Sequence, residues 1–180
     1  MDLAAVVEMG RWLLVGAMIA LACYDVVTFR IPNWANLGLV AAFPVFAGAA
    51  ALSGVDVFWL GHLGAAALVF AVGLGMFFAR ALGGGDVKLL TAAALWVGMK
   101  GLLPLIVWVG LSGGVLVLVL LLLRRNLLPI VAWASPRVPQ SLPRVLTTGE
   151  KVPYGVAIAA GTIMTVLSGQ AGWLAPLLVP

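Results

Sequence analysis

The sequence predicts an all-α integral membrane protein, a bundle of about six transmembrane helices, on three observations. Of its 180 residues, 64% are hydrophobic. Only 9% are charged, where a soluble domain carries about 25%. The apolar runs also reach the roughly 20 residues that a helix needs to cross a bilayer. One such bundle takes up the whole chain, so residues 1–180 are expected to form a single polytopic domain without an internal repeat or a low-complexity tail. The net charge of +4 points to membrane topology, because the basic residues sit in loops beside helix ends. The lipid bilayer is therefore the expected surrounding, and no nucleic acid is an expected partner.

Helix one is expected over about residues 6–28 and ends before Arg30-Ile31-Pro32-Asn33-Trp34, where the proline forces its predecessor out of helical geometry. Helix two covers about 35–52 and contains Pro44, which is tolerable in a membrane helix if neighbours satisfy the freed carbonyl. After a turn at Ser53-Gly54-Val55-Asp56, helix three covers about 57–82. Helix four covers about 86–98, with a turn at Lys100-Gly101, and helix five about 102–123, ending at Arg124-Arg125. In the connection over residues 124–152, Pro129, Pro136, Pro139 and Pro143 argue against a long helix. Its Ile130-Val131-Ala132-Trp133 suits a segment lying on the interface. Helix six starts at Pro153, a favourable first-turn position, and runs to about residue 178.

Orientation follows from the cations. Arg30, Arg80, Lys88, Arg124, Arg125, Arg137, Arg144 and Lys151 are eight of the ten basic residues, and all fall in loops on one side of a six-helix path. The other side has Arg11 and Lys100. By the positive-inside rule the three richer loops are cytoplasmic and both termini lie outside. Trp12, Trp59, Trp108 and Trp173 then fall near the outer interface, and Trp34 and Trp133 near the inner one.

That topology sets two carboxylates at one depth. Asp25 lies about one turn before the cytoplasmic end of helix one, and Asp86 follows Gly83-Gly84-Gly85 at the start of helix four. The glycines allow φ > 0 and close approach of another chain, and Asp86 suits an N-cap. Ionisable residues within membrane spans are functional suspects by default. Two facing carboxylates in a low-dielectric site share a proton, and such a pair can hydrolyse a peptide bond with water alone. The residues by themselves also allow a proton or ion relay in a small transporter, or an interfacial Asp25 beside a capping Asp86. An alternating-access transporter often shows inverted repeats, and none is found. A single cysteine, Cys23, and a single histidine, His62, make no zinc site, so no metal and no cofactor is expected. Cys23 follows Ala20-Leu21-Ala22 in a faint likeness to a lipoprotein cleavage site, but the acids Asp2 and Glu8 do not suit a positive n-region.

Asp25 with Arg30, Pro32 and Asn33, then Gly83-Gly84-Gly85-Asp86-Val87-Lys88, then Pro153-Tyr154-Gly155-Val156-Ala157, resembles the type IV prepilin leader peptidase family of membrane aspartyl proteases, whose second aspartate lies in a G-x-G-D motif. The resemblance implies that Asp25 and Asp86 are the catalytic pair, and that the chain removes the leader of a prepilin at the cytoplasmic face of a bacterial inner membrane. Lys88 fits the family pattern, with an interface-anchoring role favoured over catalysis, and Pro153, Tyr154 and Gly155 are expected to shape the substrate entrance. The larger bifunctional members carry paired CxxC motifs and also N-methylate the mature pilin. With one cysteine and no such insertion, this chain resembles the short branch associated with Flp or tight-adherence pili, and methyltransferase activity is not expected. A non-enzymatic pilus-assembly subunit stands as the further alternative.

Overall fold

The structure, a computed structural model, describes residues 3–134 and 152–174, and they form an all-helical bundle. The helices are α1 (Leu3–Thr28), α2 (Asn33–Leu52), α3 (Trp59–Phe78), α4 (Gly84–Ala134) and α5 (Tyr154–Leu167), followed by a 3-10 turn at Gly172–Leu174. Each of α1 to α4 is long and apolar enough to cross a membrane. With 14 residues, α5 reaches about 21 Å, short of the ~30 Å hydrocarbon layer.

Two expected helices are one element with a reversal inside it. α4 departs from helical geometry at Gly98 alone (φ 68°, ψ −174°), a backbone region that favours glycine. The expected turn at Lys100-Gly101 therefore lies two residues too far along. Neighbouring helices show that the chain doubles back here. A Cβ on Gly73 of α3 would lie 2.9 Å from Val87, while one on Gly98 would lie 2.7 Å from the His62 ring, so α3 and residues 84–97 run antiparallel. Past the break, Gly101 meets the Gln170 carbonyl and Gly113 meets Ala157, so the second arm returns antiparallel to α5. This arm does not stop at Arg124-Arg125 but continues through Pro129 to Ala134. A proline removes one donor from a helix, and in a membrane helix its neighbours can compensate. The rest of the expected connection, residues 135–151, lies outside the described residues.

His62 closes the reversal from the side. Its buried ring donates from Nδ1 to the Leu95 carbonyl at 2.8 Å and packs against Phe43 at 5.2 Å between centroids. A carbonyl can only accept, so Nδ1 carries the proton. Removing the donor takes a buried hydrogen bond from the Leu95 carbonyl, worth about 0.5–1.5 kcal/mol. His62→Ala should therefore lower the unfolding free energy in detergent by at least that amount. Unchanged stability would contradict this role.

Three helix ends share one local device, the left-handed C-cap: that of α1 falls at the expected residue, and those of α3 and α5 come earlier than expected. α3 closes at Phe78 because Arg80 turns left-handed (φ 59°) and Ala81 N–H returns to the Met76 carbonyl at 2.9 Å. α1 closes in the same way at Phe29 (φ 53°), whose N–H donates to the Asp25 carbonyl at 2.8 Å. α5, expected to reach residue 178, stops at Leu167 because Gly169 turns left-handed (φ 73°) and Gln170 N–H reaches the Thr165 carbonyl at 3.2 Å. The chain then folds back into the bundle. Trp173, expected near the outer interface, is 5% exposed and stacks on the fully buried Trp96, centroids 6.0 Å apart. Trp12 and Trp34 remain exposed at 56% and 75%, as interfacial tryptophans would be.

Candidate active site

The site is assembled at one end of the bundle from three chain segments far apart in sequence. Asp25 lies one turn before the end of α1 and faces inward, 4% exposed, whereas Tyr24 and Val26 on either side are exposed. A helix sends successive side chains about 100° apart, so one position in an exposed stretch can point into the bundle. Asp86 comes from the first turn of α4. The helix begins at Gly84, so Asp86 is its third residue and not the expected N-cap. Its carboxylate folds back toward Gly83, where a Cβ would lie 2.7 Å from Oδ2.

Both carboxylates line one cavity of about 300 Å³, with Phe29, Arg30, Ile31, Gly83, Gly84, Gly85, Val152, Pro153 and Tyr154 as the rest of its wall. On the other side of Asp86 and Tyr154 lies a second cavity of about 820 Å³, walled also by Phe77, Phe78, Arg80, Ala81 and Leu82. The two share Gly83, Gly84, Asp86, Val152 and Tyr154, and so lie side by side with Asp86 at their common wall.

Asp25 is held by the N-terminal end of α5. Gly155 N–H donates to Asp25 Oδ2 at 2.9 Å. The first N–H groups of a helix have no partner within it, and the helix dipole favours a carboxylate there. The approach is so close that only glycine fits: a Cβ on Gly155 would lie 2.6 Å from Oδ2 and 3.0 Å from Cγ. Pro153, the N-cap of α5, stops the chain so that Tyr154 and Gly155 open the helix against the cavity.

Of the other residues singled out from sequence, Arg30 lines the cavity and Pro32 is the N-cap of α2. Asn33 and Lys88 line neither cavity; they bond to each other, Lys88 Nζ donating to Asn33 Oδ1 at 2.8 Å. Gly83, Gly84 and Gly85 take no positive φ, so the expected left-handed freedom is not used. Their lack of side chains serves close packing instead: a Cβ on Gly84 would lie 3.3 Å from Phe77, and one on Gly85 3.3 Å from Ile31. Sequence reasoning missed Phe29, Ile31 and Val152 as cavity walls. It also missed Asn36, buried at 5% exposure with neither amide atom partnered among the described residues. A polar residue in the second apolar run was the available signal. Among the described residues no three His, Cys, Asp or Glu side chains gather as a metal-binding group.

No curated protein and no solved structure matches the chain. A match does come from one protein family. It covers residues 12–118 and bears the description type IV leader peptidase family. The matched stretch holds Asp25, the turn through Asn33, and Gly83 through Lys88, and ends before the α5 segment that holds Asp25 in place. A match over more than half of the sequence, on an all-helical apolar bundle, establishes that the chain belongs to the type IV leader peptidase family.

Proposed function

We propose that the protein is a membrane aspartyl endopeptidase that removes the leader peptide of type IV or Flp-type prepilins, with Asp25 and Asp86 activating water. The observation that carries this reading is that the two carboxylates, 61 positions apart in sequence (86 − 25), wall one cavity. Its volume of about 300 Å³ leaves room for a water, which takes ~30 Å³, beside a short extended stretch of chain.

In this mechanism the pair holds one proton between its two carboxyl groups. The ionised carboxylate takes a proton from water, and the hydroxyl adds to the scissile carbonyl carbon. The protonated carboxyl gives its proton to the carbonyl oxygen, yielding a tetrahedral diol. The carboxyl that now holds the proton gives it to the amide nitrogen while the ionised partner takes one from a diol hydroxyl; the C–N bond breaks to leave a carboxyl and an amine product, and the pair again holds one proton. The pair acts as a unit, with neither residue assigned a fixed role.

The cytoplasmic face of a bacterial inner membrane is the proposed location. In support, Arg30, Arg80 and Lys88 gather at the end that bears the aspartates, while Lys100 lies at the other. A pilin precursor is an apolar helix with a polar leader left inside, so its scissile bond lies at this depth. The single cysteine supports a peptidase without the methyltransferase of larger members.

Purified protein in detergent, incubated with a candidate prepilin, should yield a product whose N-terminal sequencing places the cut between leader and helix. Cleavage should persist in EDTA, since the mechanism draws only on two carboxylates and water. Loss in EDTA with recovery on adding zinc would overturn it. Methyl transfer from S-adenosylmethionine to the product would refute the peptidase-only reading.

A further inference from the structure

The helices that carry the two aspartates do not pack extensively on each other. α1 lies against α5 and α2, whereas α4 lies against α3, α5 and, more lightly, α2. Whatever holds Asp25 at one separation from Asp86 must therefore act through intermediaries. One is α5, through the Gly155 N–H. The other is the short turn that leaves α1 at Phe29, four residues after Asp25, and enters α2 at Asn33.

That turn touches the start of α4 at two points. The Gly85 backbone rests on Ile31: a Cβ there would lie 3.3 Å from Ile31 Cβ and 3.6 Å from both its N and its O. Three residues further along α4, Lys88 Nζ donates to Asn33 Oδ1 at 2.8 Å. The first contact brings the segment after Asp25 against the residue before Asp86. The second ties the first residue of α2 to the first turns of α4. Neither Lys88 nor Asn33 lines the cavity, so both stand outside the cleft that holds the aspartates.

We propose that the Lys88–Asn33 hydrogen bond is a latch that sets the working separation of Asp25 and Asp86, with both residues acting as positioning residues. The inference rests on the peptidase reading above. An exposed polar pair contributes little to folding. It can nonetheless bias two arrangements of the helix ends by roughly 2- to 10-fold, and a displacement of about 1 Å at reacting groups can cost 10²-fold in rate. The ammonium has three donors, of which Asn33 takes one. Lys88 can thus bond a lipid phosphate as well, and the test separates the two uses.

The variants are Asn33→Ala, Lys88→Met, their combination, Asn33→Asp and Lys88→Arg, assayed for prepilin cleavage, melting temperature and membrane insertion. Asn33→Ala and Lys88→Met should each lower kcat about tenfold while KM, melting temperature and insertion hold. The combination should be no worse than either alone, because the two remove one interaction. Asn33→Asp keeps the acceptor and Lys88→Arg the donor, so both should retain most of the rate. Full kcat in Asn33→Ala with impaired insertion in Lys88→Met marks the lysine as a lipid anchor and overturns the latch. A raised KM at unchanged kcat, or losses that multiply in the combination, overturns it too.

A readout without cleavage keeps this apart from the peptidase reading. Spin labels at the native Cys23, exposed on α1, and at Ala81→Cys, exposed where α3 leads into α4, report the separation of the two halves. α3 and α4 pack closely, so the second label follows α4. The distance distribution should shift or broaden in Lys88→Met and Asn33→Ala. An unchanged distribution sinks the latch even if the aspartates prove catalytic. A changed one alongside active Asp25→Asn leaves the latch standing and removes the peptidase mechanism.

Discussion

Asp25→Asn and Asp86→Asn should each reduce prepilin cleavage by roughly 10²- to 10⁴-fold, the range of a general acid or base, while the protein remains in the membrane. Asparagine keeps the size of the side chain and, at position 25, an oxygen that can still accept from Gly155 N–H. What it loses is the ability to take or give a proton. The double variant should be scarcely slower than either single one, because groups that act as a unit are strongly non-additive. A capping role for Asp86 predicts a different pattern: a loss of about 1 kcal/mol of stability, near-normal turnover, and effects that add. Quantitative processing by all three variants, normalised to membrane-inserted protein, distinguishes the two. Substantial cleavage by Asp86→Asn would end the dyad reading. A transporter with Asp25 as its proton relay would show no processing even in the wild type.

Gly155→Ala should lower cleavage by about 10²-fold, the cost of a displacement near 1 Å at the reacting groups. By helix propensity alone this change should help, since alanine is better than glycine in a helix by about 1 kcal/mol. The new methyl, however, would sit 2.6 Å from Asp25 Oδ2. Either the carboxylate or the start of α5 must give way, and the hydrogen bond from Gly155 is lost or lengthened. Gly110→Ala serves as the control, because nothing lies within 4 Å of a Cβ at that position. The expected result is a well-folded Gly155→Ala with helical circular dichroism intact and slow turnover, beside a Gly110→Ala close to wild type. Wild-type turnover in Gly155→Ala would show that the hold on Asp25 is not needed for the reaction.

The helical fold was legible because a membrane helix announces itself locally: an apolar run about as long as the bilayer is thick, bounded by proline, glycine or charge. The segments around Asp25 and Asp86 were legible for the same reason, since a carboxylate in an apolar run is rare and costly. The helix ends were less so. Arg80 closes α3 in a left-handed conformation that glycine usually takes, and nothing in the residue type announces it. Gly169 did carry the usual signal, but the apolar residues on both sides of it read as one continuous span.

What the sequence by itself determined is the class of the protein, the order of its apolar segments, and the pair of acids that could do chemistry, all properties of short windows or of composition. What only the tertiary structure decided is how these parts meet. The bond from Gly155 to Asp25 joins residues 130 positions apart, and the bond from Lys88 to Asn33 joins residues 55 apart. The reversal at Gly98 under His62, and the return of Trp173 to the core against Trp96, are of the same kind. Each depends on which helix face meets which, and in a membrane every apolar face suits lipid as well as protein. Hydropathy therefore cannot choose between them; close packing of small residues and the pairing of a few polar groups can.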